Sequence, residues 1–114
     1  MTKEEILNLN NVKKYELIMD GKYINIFLED ADEIIRATIA IYGHKLDILI
    51  NDESQIVRNK VIQYCEIYSE KPECRKILQL YKLDIFNALS NFISILLISS
   101  TYDNILNTIW ISLL

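Results

Sequence analysis

Glycine and proline are almost missing from this chain: Gly21, Gly43 and Pro72 are the only three in 114 residues. A β-sandwich or barrel needs turn residues about every 8–12 positions, so those classes are excluded and an all-α fold is expected. Two glycines leave no backbone cradle for phosphate, and neither Gly-x-Ser-x-Gly nor His-Glu-x-x-His occurs. Two cysteines, Cys65 and Cys74, are too few for a disulfide scaffold and lack zinc-site spacing. They read as buried thiols in a reducing compartment. The one histidine, His44, has no second histidine or cysteine nearby in sequence and reads as an exposed turn residue. No catalytic residue, metal or cofactor is therefore expected, and the chain reads as a non-enzyme. The first ten residues, MTKEEILNLN, lack a compact apolar run, so no signal peptide is expected and the location reads as cytoplasmic.

Cations are outnumbered, with 12 Lys and Arg against 16 Asp and Glu, a net charge of −4 and a pI near 4.9. An acidic chain forgoes the phosphate neutralisation that dominates nucleic-acid affinity. The partner it suits is a protein, with a basic face as the natural complement, although acidity also serves solubility.

What the chain does contain is a unit written twice. Residues 24–43 and 46–65 align at a spacing of 22, with identities at Ile26/Ile48, Asp30/Asp52, Ile34/Ile56, Arg36/Arg58 and Tyr42/Tyr64. Self-similarity at this period points to stacked helical repeats. Each unit reads as a short helix followed by a longer one, capped by Asp30 or Asp32 in the first copy and by Asp52 or Ser54 in the second. The expected inward stripes are Ile34, Ile35, Ile39 and Tyr42, then Ile56, Val57, Val61, Ile62 and Tyr64. Residues 2–21 read as a decayed copy, with Lys14 in the place of Arg36 and Asn8 keeping the capping chemistry of Asp30.

Beyond residue 65 the period fails. Pro72 opens a helix carrying Cys74, Ile77, Leu78 and Tyr81. All Lys and Arg lie at or before Lys82, and residues 85–102 carry no charge. The reading is a buried helix closing the stack, with Phe86, Leu89, Phe92, Ile93, Leu96 and Leu97 inward. Asp103 would cap a last helix ending on Leu113 and Leu114, packed or in an interface between copies. A membrane span through residues 83–114 is the alternative, set against the polar residues in the run.

The pattern Gly-x-x-Leu-Asp-x-Leu-Ile-Asn-Asp-x-x-x-x-Val-Arg in residues 43–58 resembles HEAT-like and leucine-rich-variant α-solenoid repeats. The resemblance covers residues 24–65 and is weak over residues 2–23. It implies a right-handed α-α superhelix, a protein-binding scaffold, and a structural ladder between repeats made by Asp30, Arg36, Asp52 and Arg58. The expected architecture is a single all-α domain, 1–114: a degenerate cap (1–22), two repeats (23–65) and apolar C-terminal capping helices (66–114). The expected function is an interaction module or small inhibitor that uses Tyr15, Tyr23, Glu29, Asp32, Glu33, Glu53 and Tyr68. Membrane association and, behind it, nucleic-acid binding are the alternatives, and the C-terminal helices are a route to a homo-oligomer. The acidic run 29–33 lacks the spacing of a calcium loop and reads as a helix N-terminus.

Overall fold

The computed structural model describes residues 1–113, and among them the chain is all helix. Six helices form three pairs: α1 (Lys3–Leu7) with α2 (Asn11–Met19), α3 (Ile24–Phe27) with α4 (Glu33–Ile41), and α5 (Leu46–Leu49) with α6 (Gln55–Ile67). A seventh, α7 (Pro72–Leu113), runs 42 residues without a break. The chain divides into two compact units, Met1–Leu78 and Gln79–Leu114, where the sequence suggested one domain.

The 22-residue period extends through the first pair. The long helices begin after Asn10, Asp32 and Ser54, at steps of 22, so residues 2–21 form a full pair of helices. Asn10 and Asp32 cap with their side chains, accepting from the Lys13 and Ile34 N–H groups. Asn8 instead closes α1 at its C-terminal end; the cap of α2 is Asn10.

Between pairs the chain turns through two left-handed residues: Gly21 and Tyr23 (φ 73° and 58°), then Gly43 and Lys45 (φ 77° and 51°). The N–H groups of Lys22 and His44 reach five residues back to the Leu17 and Ile39 carbonyls, which closes α2 and α4 with a glycine at the left-handed position. Position 65, the next in this register, is Cys65. Without a glycine there, α6 runs on to Ile67, and Cys65 is buried inside it.

The core is built in columns that follow the period. Leu17, Ile39 and Val61 form one, Ile18, Ala40 and Ile62 another, and Phe27 with Leu49 a third, all buried. α4 is the centre of the first unit, packed against α2, α3, α5 and α6. Ile34 and Ile56, expected inward, are exposed, as is Tyr42. Ile35 and Ile39, like Val57 and Val61, fix the buried face at i, i+4, and the preceding isoleucine lies about 100° off it.

The expected C-terminal cap is replaced by α7. Cys74, Ile77 and Leu78 are buried, but Tyr81, Phe86, Leu89, Phe92, Ile93, Leu96 and Leu97 are all exposed. Asp103 caps nothing and lies within the helix, Leu113 is exposed, and Leu114 lies outside the described residues. The cause is the scarcity of chain breakers: Gly43 is the last glycine and Pro72 the last proline, so nothing stops the helix and folds it back.

A Cβ on Gly43 would stand 2.3 Å from the Tyr64 ring, whereas one on Gly21 meets nothing nearer than His44 at 3.8 Å. Gly43→Ala is therefore expected to cost about 2–3 kcal/mol, from backbone strain and crowding together. Gly21→Ala should cost about 1 kcal/mol from strain alone. Urea denaturation of the two variants checks the order.

Candidate functional site

Three arrangements in the described residues could carry function: a buried ladder of ion pairs, the acidic and aromatic surface of the first unit, and the apolar length of α7. The ladder arises because each long helix places a cation in its second turn, level with the short-helix end of the next pair. Lys14 Nζ meets Asp30 Oδ2 at 2.7 Å, and Arg36 meets Asp52 through Nε at 2.9 Å and Nη2 at 3.1 Å. Both pairs join residues 16 apart, and all four side chains are about nine-tenths buried.

Each carboxylate also accepts from the N–H two residues on, Asp30 from Asp32 and Asp52 from Ser54, both at 2.9 Å. Arg36 Nη1 donates to the Asp30 carbonyl at 2.8 Å, so one guanidinium joins its own pair to the next. Arg58 repeats the inner half of this arrangement, donating to the Asp52 carbonyl at 2.5 Å. The residue 16 positions beyond it is Cys74, so its remaining contact is the nearby Gln55 side chain. The ladder runs Lys14–Asp30 and Arg36–Asp52, and Arg58 is its last step.

Burial pushes the Asp52 pKa up, but the Arg36 hydrogen bond, the Ser54 N–H and the charges of Arg36 and Arg58 outweigh it, and the net shift is downward. The Arg36 pKa is raised, chiefly by the hydrogen bond to Asp52 against the opposing effect of burial.

The acidic run 29–33 is occupied by partners. Glu29 pairs with Lys3, Asp30 with Lys14, Asp32 caps α4, and Glu33 accepts a 2.6 Å hydrogen bond from Ser54 Oγ. No group of three metal-ligating side chains occurs among the described residues. Asp32, Glu33 and Glu53 do share one open cleft with Arg36.

The expected tyrosines lie elsewhere. Tyr15 packs on the core, and Tyr23 lines a separate groove with Ile26, His44 and Lys45. Tyr68 stacks on Tyr64 with ring centroids 4.4 Å apart. Lys71 lies 4.8 and 5.2 Å from these two rings and donates to the Tyr64 hydroxyl at 2.8 Å. That hydrogen bond raises its pKa. The candidate residues thus divide among several patches. His44 is half-buried in its turn rather than exposed.

Cys65 and Cys74 are fully buried and free. Burial pushes the Cys65 thiol up to about 12, with Cys74 adding to it. A thiol so far from ionising is no nucleophile at neutral pH.

Comparison with protein-family models, curated proteins and solved structures yields no match.

The feature that periodicity did not reveal is the exposure of α7. Ile95, Leu96, Leu97 and Ile98 follow one another around a full turn and are 62%, 51%, 63% and 70% exposed. At 100° per residue, the polar residues of 85–98 (Asn87, Ser90, Asn91 and Ser94) fall within one arc of about 100°. The hydroxyls of Thr101, Thr108 and Ser112 each donate to the carbonyl four residues back at 2.9 Å.

The ladder predicts a ranking of variants. Arg36→Ala leaves the Asp52 carboxylate buried without its cation and should cost about 3–5 kcal/mol. Arg58→Ala removes hydrogen bonds donated to two neutral oxygens and a weaker charge attraction to Asp52, and should cost about 1–1.5 kcal/mol. Because Asp52 has a lower pKa folded than unfolded, its pair stabilises fully above the unfolded value. That contribution declines as pH falls from about 4 through the folded value. Acid titration of unfolding should show this loss in the parent and a smaller one in Arg36→Ala.

Proposed function

We propose that the protein is a membrane-anchored interaction module: part of α7 spans a bilayer, and the helical pairs, of the HEAT-like kind, engage a protein partner without catalysis. The observation that carries the reading is an exposed helix that is apolar around about 260° of its circumference over residues 85–98. Such a helix belongs in a protein core or in lipid, and residues 85–98 are not in a core.

The dimensions agree. At ~1.5 Å per residue the uncharged run 85–102 is about 27 Å long, against a hydrocarbon core of about 30 Å. Tyr81 and Trp110, both exposed, stand about 44 Å apart along the axis, close to the full thickness with headgroups. Tyrosine and tryptophan are the residues that favour those two interfaces.

The hydroxyls of Thr101, Thr108 and Ser112 are satisfied within the helix, as lipid requires. The amides of Asn87 and Asn91, on one face, make no hydrogen bond among the described residues, which favours a second copy of α7 as neighbour. An asparagine amide is both donor and acceptor and therefore complements its own kind. For the helical pairs, the cleft of Asp32, Glu33 and Glu53 suits a basic protein segment. Nucleic-acid binding gains no support, since Lys14 and Arg36 are already committed to buried carboxylates.

Membrane fractionation of the full chain tests the anchor. The protein should stay in the pellet after carbonate washing and be released by detergent. Leu89→Arg with Leu96→Arg adds about 2.5–3.5 kcal/mol each near the middle of the span and should abolish retention. Recovery of the parent chain in a high-speed supernatant without detergent would overturn the reading.

A further inference from the structure

The cations nearest the apolar run are distributed on one side of it only. Lys71, Arg75, Lys76 and Lys82 lie within 14 residues before Ile85, with Glu73 the one carboxylate between them, and no Lys or Arg follows Lys82. All four are exposed. Arg75 and Lys82 are seven residues apart and share a face of α7, about a quarter-turn from the side on which Cys74, Ile77 and Leu78 are buried. Only Lys71 has a protein partner among the described residues, the Tyr64 hydroxyl.

We propose that Lys71, Arg75, Lys76 and Lys82 fix the orientation of the span, Lys82 among anionic phospholipid headgroups and the other three in the field just outside them, with the helical pairs on the cytoplasmic side and Trp110 on the far side. The proposal rests on the membrane reading above. Its physics is the attraction of short basic flanks to the anionic cytoplasmic leaflet, about 1 kcal/mol per cation near the surface, together with the cost of carrying those cations across. The helical pairs themselves are acidic: residues 1–70 hold eight Lys and Arg against thirteen Asp and Glu. The attraction to lipid is therefore confined to the flank.

The two native thiols make the test direct, because both are fully buried and Cys65 is held well above the ionising range. A cysteine placed at exposed Asn51 or exposed Ser112 becomes the reactive one. The full chain carrying Asn51→Cys or Ser112→Cys is expressed in bacteria, and intact spheroplasts are treated with a membrane-impermeant maleimide. Ser112→Cys should label in intact spheroplasts, and Asn51→Cys should label at least fivefold more after permeabilisation. The opposite pattern, or equal labelling of both sites in intact spheroplasts, overturns the orientation. Neutralising Lys71, Arg75, Lys76 and Lys82 to Gln in the Ser112→Cys chain should lower its external labelling at least twofold, with membrane retention kept. Unchanged labelling removes these four residues from the explanation. A chain found in the soluble fraction refutes the membrane reading itself, which separates the two failures.

Discussion

The first unit depends on a single guanidinium. Arg36 lies on the central helix and makes two kinds of contact at once, to the carbonyl of Asp30 in its own pair and to the carboxylate of Asp52 in the next. Apolar columns such as Leu17, Ile39 and Val61 pull the pairs together but tolerate sliding, since one isoleucine fits much like another. A bidentate arginine–carboxylate contact has one geometry, so it sets the register that the columns then fill. Asp52 is held in turn by the Ser54 N–H at the start of α6, which couples the ion pair to the point where the next long helix begins. Lys14 and Asp30 do the same one step earlier with a point charge in place of the fork.

Much of this was legible because the signals are local. Glycines 22 residues apart marked both turns, and the repeated aspartate and arginine marked the ladder positions. Lys14 was visible as a charge in the arginine's place. The ladder's partners were harder to read, since a cation reaches the carboxylate 16 residues on, and spacing along a sequence does not say which side chains meet across a stack. Asn10 was missed in favour of Asn8 because the alignment rule followed the aspartate at position 30, while capping belongs to position 32. Ile34 and Ile56 were misplaced because a run of adjacent isoleucines fits more than one helical face.

The C-terminal third was misread for a different reason. Its apolar residues demanded burial, and the expectation supplied a core for them by breaking the chain at Asp103. An aspartate can cap a helix only where the backbone leaves helical geometry, and no glycine or proline near residue 103 favours that. Residues such as Ile93, Ile95 and Leu96 have ordinary to good helix propensity, and nothing in the run opposes continuation. Scarcity of breakers argued for an all-α chain at the start, and the same scarcity argues against a folded-back cap at the end.

The environment of a bare apolar helix is set by what its surface gains on leaving water. Transfer of apolar surface out of water is favourable by ~25 cal/mol per Å², and an exposed leucine or isoleucine forgoes about 1.5–3 kcal/mol. A single such residue is unremarkable on a protein surface, but seven in the span 85–98, interspersed with Phe86 and Phe92, amount to a large continuous patch. A one-sided stripe would point to docking on a protein. An apolar surface around about 260° of the helix is far wider than a docking stripe and calls for an apolar solvent, which favours the bilayer. The four polar side chains gathered on one arc refine the argument, since scattered polarity would meet lipid on all sides. In the proposed span, with polarity confined to one face, Asn87 and Asn91 would turn toward another helix while Leu89, Phe92, Ile93, Leu96 and Leu97 would meet the acyl chains.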